Sequence, residues 1–169
     1  MQTSDFQSLG VAEPFLRTLT QLNFNTPTPI QVKAIPAVLA GRDLIGVAQT
    51  GTGKTAAFAL PLLQLLQADP ARPGRYGTRA LILAPTRELA LQIESCIRDL
   101  SAGLHLRTAA IVGGLSRGPQ AKRLSHGVDI VVGTPGRVCD LMQTRELRLA
   151  TVTHFILDEA DRMFDLGFI

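Results

Sequence analysis

The sequence predicts an α/β domain in which a mostly parallel sheet carries helices on both faces. Short runs rich in Ile, Val and Leu have the length of strands, and segments with helical spacing alternate with them. The runs are almost continuously apolar, which is typical of parallel strands buried on both faces. A glycine-rich turn follows the first run and an acidic pair follows the last. Because ligands gather at the carboxyl ends of parallel strands, both features are expected at a functional site.

Composition and charge narrow the class of protein. The chain has 169 residues, 46% hydrophobic and 18% charged, which indicates a globular domain. The net charge of +3 arises from residues 71–169 and mostly from Arg, which suits phosphate recognition without establishing it. No signal peptide or membrane-length apolar run occurs, so we expect a soluble, cytoplasmic protein. Cys96 and Cys139 are expected to be small buried residues, not a disulfide or metal site.

Residues 1–41 predict two helices after a loosely structured lead-in that exposes Phe6. Pro14 suits the first turn of a helix over 14–22. Pro27 and Pro29 then fix a stiff loop, and a second helix over 29–40 ends at Gly41.

The remaining elements alternate regularly along the chain. The predicted strands are 44–47, 80–84, 108–112, 129–132 and 152–157. The predicted helices are 54–67, 88–100, 119–125 and 135–142, with another beginning near Glu159. The basic stretch 69–77 between the first helix and second strand is predicted to be a mobile loop.

The glycine-rich turn, residues 48–55, predicts a phosphate-binding loop at a helix N-terminus. Gly51 and Gly53 let the backbone curl around phosphate oxygens, and the loop residues Thr50 and Thr52 join that cradle. Lys54 can reach the β- and γ-phosphates, and the Thr55 hydroxyl can ligate Mg²⁺. The general pattern for such loops has Gly where this chain has Ala48.

The acidic pair at the end of the last strand predicts the second half of a nucleotide site. Asp158 would hold Mg²⁺, and Glu159 would take a proton from the attacking water. An acidic helix start is the structural alternative, because it favours the helix dipole.

Several ordered motifs resemble those of the DEAD-box ATP-dependent RNA helicases, in their first RecA-like domain. Residues 158–161 spell Asp-Glu-Ala-Asp, and residues 48–55 match the form A-x-x-G-x-G-K-T, including its Ala. Residues 24–31 resemble the adenine-recognising Q motif, residues 85–90, 113–114 and 134–137 resemble the RNA-side motifs, and 162–168 is similar to the bacterial branch.

The resemblance implies roles for residues outside the phosphate loop. Phe24 would stack on adenine, with Phe6 as a further aromatic contact. The Gln31 carboxamide would read the N6 and N7 edge, which guanine does not offer, so ATP is expected rather than GTP.

RNA would be gripped by its backbone, and Asp161 would couple the nucleotide site to the second domain. The implied RNA-binding residues are Thr86, Arg87, Gly113, Gly114, Thr134 and Arg137. Thr86 and Thr134 also suit helix N-caps, a structural role that is compatible with phosphate binding.

The resemblance divides the chain into a Q-motif region, 1–41, and a RecA-like ATP-binding region, 42–169, that stops before the Ser-Ala-Thr motif. The second RecA-like domain is absent, and so is the strand expected between the phosphate-loop strand and the strand before Asp158. We therefore expect a fragment with negligible unwinding of its own. An RNA clamp that never unwinds and a non-catalytic RNA-binding fragment remain alternatives, whereas a GTPase is disfavoured because no Asn-Lys-x-Asp motif occurs.

Overall fold

The computed structural model describes residues 5–49 and 51–168. The chain divides into two compact units. The first contains the described residues up to Asp69 together with Cys96–Leu104, and the second contains Pro70–Ser95 and the described residues from His105 onward.

The first unit is helical. Its helices are α1 (Glu13–Gln21), α2 (Pro29–Leu39) and α3 (Lys54–Ala68), and α4 (Arg87–Leu100) contributes residues to both units. Pro14 lies in the first turn of α1, as predicted, and the buried face of that helix carries Phe15 and Leu19. Phe6 is only 5% exposed, so the prediction of an exposed aromatic there is wrong.

The second unit is a parallel four-stranded sheet with its own helices. The strands are β1 (Thr78–Leu83), β2 (Thr108–Ile111), β3 (Val128–Gly133) and β4 (His154–Leu157), in the order β2-β3-β1-β4. All three pairings are parallel, so the predicted α/β class is confirmed. The helices are α5 (Arg117–Leu124), α6 (Pro135–Gln143) and α7 (Ala160–Asp165).

The predicted strand over 44–47 is wrong. Residues 43–49 are described without strand structure, and Ile45 and Val47 are 94% and 92% exposed. An apolar run becomes a strand only where a neighbouring strand takes up its backbone hydrogen bonds, and no described segment does so here.

Two further observations bear on the predictions from composition. Both cysteines are free, but Cys139 is exposed and Cys96 is half-buried, so the expectation that both are buried is wrong. None of the described helices has the length and apolar character needed to cross a membrane.

Candidate nucleotide and RNA sites

The phosphate-type turn leads directly into α3. Gly51 and Gly53 have φ of 81° and 86°, a left-handed backbone that favours glycine, and Gly53 is the N-cap residue of α3. A Cβ on Gly53 would lie 2.5 Å from the Gln31 Nε2 atom, so the close approach also requires glycine. Lys54 and Thr55 begin the helix, where the backbone dipole favours an anion.

Internal hydrogen bonds shape this turn. The Lys54 ammonium donates to the Ala48 carbonyl at 2.8 Å, and the Thr52 hydroxyl donates to the Gln49 carbonyl at 2.7 Å. Lys54 and Thr55 are both partly exposed, so an incoming phosphate can reach them. Thr50, also predicted to contact phosphate, lies outside the described residues.

Gln31 ties the Q-motif helix to the phosphate-type turn. Its Oε1 accepts from the Thr28 backbone N–H at 2.9 Å, and its Nε2 donates to the Gly53 carbonyl at 3.1 Å. The residue is 5% exposed. A carboxamide has two lone pairs and two N–H groups, so one acceptor and one donor site remain for a base edge. Phe24 is 45% exposed, so part of its aromatic side chain is accessible from solvent.

The acidic pair is held at the carboxyl end of β4. The Asp158 backbone N–H donates to the Leu83 carbonyl at 3.0 Å, which extends the pairing with β1, and its side chain accepts from the Glu159 N–H at 3.1 Å. Glu159 has φ of 51°, a conformation that costs a non-glycine residue roughly 1–2 kcal/mol. Its carboxylate lies 3.4 Å from Arg162, and Asp161 is exposed in the first turn of α7. Strained backbone of this kind is concentrated at functional sites.

The loop that follows β2 is fixed by side chains from other elements. The Gly113 N–H donates to the Thr134 hydroxyl at 3.4 Å, and Arg137 Nη1 donates to the Leu115 carbonyl at 3.0 Å. Thr134 occupies the N-cap position of α6, but its hydroxyl does not cap that helix. The predicted N-cap position of Thr134 is therefore confirmed, although its hydroxyl accepts from the loop and not from the helix.

Thr86 and Arg87 lie at the N-terminus of α4. The Thr86 hydroxyl accepts from the Leu89 N–H at 3.3 Å, so the predicted N-cap is confirmed there. Arg87 pairs with Glu88 at 3.2 Å with about half of its side chain exposed. A Cβ on Gly114, whose φ is 73°, would lie 3.0 Å from Arg87 Nη1. Five of the predicted residues therefore meet at one loop: Gly113 and Gly114 belong to it, and Arg87, Thr134 and Arg137 lie against it.

The motifs do not reveal Gln120, which supports the same loop. Its Oε1 accepts from the Val112 N–H at 3.0 Å, and its Nε2 donates to the carbonyls of Val112 at 3.0 Å and Ser116 at 3.2 Å. The residue is 8% exposed. The one signal in the sequence is its spacing: Gln120 lies four residues before Leu124, and the two residues share the buried face of α5.

Comparison with known proteins agrees with this arrangement. The family model described as DEAD/DEAH box helicase matches residues 28–169. The chain is 47% identical to the ATP-dependent RNA helicase dbp10 of Schizosaccharomyces pombe over 99% of its length, and 47% identical to the RNA helicase CrhR of Synechocystis over 99%. It covers 19% and 33% of those proteins.

A solved structure has the same fold. A DEAD box protein from the hyperthermophile Methanococcus jannaschii superposes with a TM-score of 0.88 at 41% identity, over 98% of this chain and 44% of that one. The fold, the loop geometry and the family match lead to one conclusion. The chain belongs to the DEAD/DEAH box helicase family.

Proposed function

We propose that this chain is the ATP- and RNA-binding half of an ATP-dependent RNA helicase. The observation that carries the proposal is the hydrogen bond from Gln31 to the Gly53 carbonyl. It joins the residue suited to reading adenine to the turn suited to holding phosphates. The names of the relatives, ATP-dependent RNA helicases, agree with the proposal.

ATP would bind as its magnesium complex. Lys54 would contact the β- and γ-phosphates and Thr55 would ligate Mg²⁺, with backbone N–H groups of residues 50–53 around the phosphates. Asp158 would hold Mg²⁺ and Glu159 would act as the general base. The donor set suits a hard cation, because hydroxyl and carboxylate oxygens are the ligands that Mg²⁺ prefers.

RNA would bind at the loop over residues 112–116. Arg87 is half-exposed beside Gly114, and the glycine backbone lets a sugar–phosphate chain lie close. Arg137 is 14% exposed and engaged with Leu115, so it would act mainly by holding the loop. Contacts of this type address phosphate and sugar, so binding would be largely independent of sequence and weaken with salt.

Unwinding would require a second RecA-like domain. The chain spans about a fifth to a third of the curated relatives named above. In the complete protein, ATP and RNA together would close the two domains and bend one strand away from its partner, with Asp161 coupling the nucleotide to that closure. Residues 1–41 would supply the Q motif and 42–169 the first RecA-like domain.

Equilibrium binding of fluorescent ATP and GTP analogues, with a strand-displacement assay beside it, tests the proposal. We expect the 169-residue chain to prefer the adenine nucleotide, to lose phosphate-dependent affinity in Lys54→Ala, and to separate no duplex. Equal affinity for the guanine nucleotide, or unchanged ATP binding in Lys54→Ala, would contradict the assignment. In a protein that contains both domains, Lys54→Ala should abolish ATP turnover.

A further inference from the structure

The sheet of the second unit has two ends of different chemistry. Because the strands are parallel, the residues that follow β1, β2 and β3 lie at one edge, and these include Thr86, Gly113 and Thr134. The residues that precede the same strands lie at the opposite edge. We call that region the amino-edge surface, formed by residues 72–77, 105–107, 122–127 and 148.

Backbone contacts join these segments into one surface. The Tyr76 N–H donates to the Leu124 carbonyl at 3.1 Å, and the Arg148 N–H donates to the Tyr76 carbonyl at 2.7 Å. Arg107 Nη1 donates to the His126 carbonyl at 3.1 Å. A Cβ on Gly127 would lie 2.7 Å from the Pro73 carbonyl oxygen, so this loop packs closely against the end of α5.

The surface is strongly basic. Its exposed cationic residues are Arg72, Arg75, Arg107, Lys122, Arg123 and Arg148. The sequence of residues 70–79, 105–108, 121–128 and 147–153 contains no Asp or Glu. Asp129, which adjoins the surface, is 1% exposed and lies 3.1 Å from Arg79 and 4.0 Å from Arg72. Positive charge is therefore concentrated on the outside of these segments, which carry no exposed carboxylate of their own.

The backbone beneath this charge is well supported. Asp129 Oδ2 accepts from the Arg107 N–H at 2.8 Å, which fixes the segment that enters β2. The Arg75 guanidinium lies over the Tyr76 ring, 5.0 Å from its centroid. The sequence predicted a mobile loop over 69–77, yet its Tyr76–Gly77 end is fastened to β3 and to residue 148. A supported basic surface loses less conformational entropy on binding than a loose one.

We propose that the amino-edge surface is a second site for the RNA backbone, which binds phosphates of RNA that extends beyond the strand held at residues 112–116. The proposal rests on the proposed function for the identity of the polyanion. Arg predominates in the surface, and its planar guanidinium matches phosphate oxygens. None of the large exposed hydrophobic side chains lies in its segments, whereas a protein interface is expected to have an apolar centre.

The two RNA sites would be separated by the length of the strands. β3 has six residues, which corresponds to on the order of 20 Å at about 3.3 Å per residue. A short oligonucleotide can occupy only one site, whereas a longer RNA can reach both. Dependence on RNA length therefore distinguishes the amino-edge surface from the loop over 112–116.

The test compares two triple variants that remove the same charge. The surface variant is Arg75→Gln/Lys122→Gln/Arg123→Gln, and the control variant is Arg17→Gln/Lys33→Gln/Arg98→Gln, whose residues are exposed in the first unit. Fluorescence anisotropy is measured with single-stranded RNAs of about 8 and about 30 nucleotides, since single-strand sites span roughly 4–16 nucleotides. Thermal unfolding checks that each variant folds, and Lys122→Gln/Arg123→Gln replaces the triple if it does not.

We expect the surface variant to bind the long RNA about tenfold more weakly than the wild type does. The slope of log affinity against log salt concentration should be smaller by about two, because each of the lost single-strand contacts accounts for about 0.7. The short RNA should bind the wild type and the surface variant equally, and the control variant should resemble the wild type. Failure of the short RNA to bind the wild type would overturn the proposed function itself.

Three results with RNA would overturn the second site while leaving the proposed function intact. They are wild-type affinity of the surface variant for the long RNA, an equal loss in the control variant, and equal weakening with both RNA lengths. Polyglutamate that binds more tightly than RNA, and only when the surface is intact, would also overturn it by assigning the surface to an acidic protein.

Discussion

Gln120 illustrates how a residue outside the motifs can determine the shape of a ligand loop. Its carboxamide forms hydrogen bonds with both the N–H and the carbonyl of Val112. Val112 is fully buried and immediately precedes Gly113. The loop conformation therefore depends on a side chain that does not touch RNA in our proposal. Motif patterns miss such residues because they record what a ligand contacts and not what holds those contacts in place.

Replacing Gln120 by Leu should keep its approximate volume but leave the Val112 N–H and carbonyl without their side-chain partner. We expect a loss of roughly 1–3 kcal/mol in unfolding free energy, the usual cost of such unpaired groups. The affinity for short RNA should fall as well, because the loop would no longer be fixed. Urea unfolding and RNA anisotropy measure the two effects separately.

Gln64 supplies a matched control for that variant. Its Oε1 accepts from the Ala12 N–H at 2.8 Å and its Nε2 donates to the Gly10 carbonyl at 2.9 Å, in the first unit. Gln64→Leu should therefore lower stability without changing RNA affinity. If both variants weaken RNA binding equally, Gln120 has only a general structural role.

The two thiols should differ in reactivity. Burial, and then the nearby Asp99 charge, raises the pKa of the Cys96 thiol, whereas Cys139 is exposed on α6. Since the thiolate is the nucleophile, iodoacetamide should alkylate Cys139 first at neutral pH, and alkylation of Cys96 should need higher pH. Peptide mapping by mass spectrometry reports the order, with Cys139→Ser to isolate Cys96. Faster modification of Cys96 would show that α4 opens more readily than its packing indicates.

At the scale of the elements, Asp129 connects three strands through one side chain. It lies 3.1 Å from the Arg79 guanidinium of β1 and accepts from the N–H of Arg107, directly before β2. The side chains of Arg79 and Asp129 are 3% and 1% exposed. Breaking a buried pair by removing one partner leaves an uncompensated charge, so each partner depends on the other.

We expect Asp129→Ala to lower the unfolding free energy by about 3–5 kcal/mol, and the double change Arg79→Met/Asp129→Leu to cost less because no buried charge is left alone. Urea denaturation curves compare the two. Glu13→Ala is the control, since its pair with Arg17 is largely exposed and should be worth at most about 1 kcal/mol. A double variant less stable than the single one would contradict this reasoning.

The sequence predicted the strands of the sheet well and the phosphate-loop strand badly, for one physical reason. The runs at β1 and β3 are apolar and find neighbours on both sides, so pattern and hydrogen bonding agree. The run at 44–47 is equally apolar, yet local pattern does not say whether a neighbouring strand is available to pair with it. Local pattern also does not reveal that β4 lies at an edge of the sheet, where Phe155 and Leu157 are exposed.

The candidate site was predictable to a different degree in its two parts. The residues at the loop over 112–116 could be predicted because they match the motifs of a known family, and parallel strands bring the segments that follow β1, β2 and β3 to one edge of the sheet. The hydrogen bonds of the individual residues could not be predicted, because Thr134 and Arg137 bond to loop backbone that is distant in sequence. The roles of Lys54, Thr55, Asp158 and Glu159 in phosphate chemistry stay predictions.

At the scale of the whole molecule, the central prediction is that Asp158 helps to hold the magnesium ion of bound ATP. If the assignment is right, Mg²⁺ should strengthen nucleotide binding through a carboxylate that is remote in sequence from the phosphate turn. Glu159 should contribute to hydrolysis and not to this affinity.

The most direct measurement is the affinity of a fluorescent ATP analogue with and without Mg²⁺, for the wild type, Asp158→Asn and Glu159→Gln. We predict that Mg²⁺ strengthens binding to the wild type and to Glu159→Gln, and that most of this gain disappears in Asp158→Asn. The same Mg²⁺-dependent gain in Asp158→Asn as in the wild type would contradict the account.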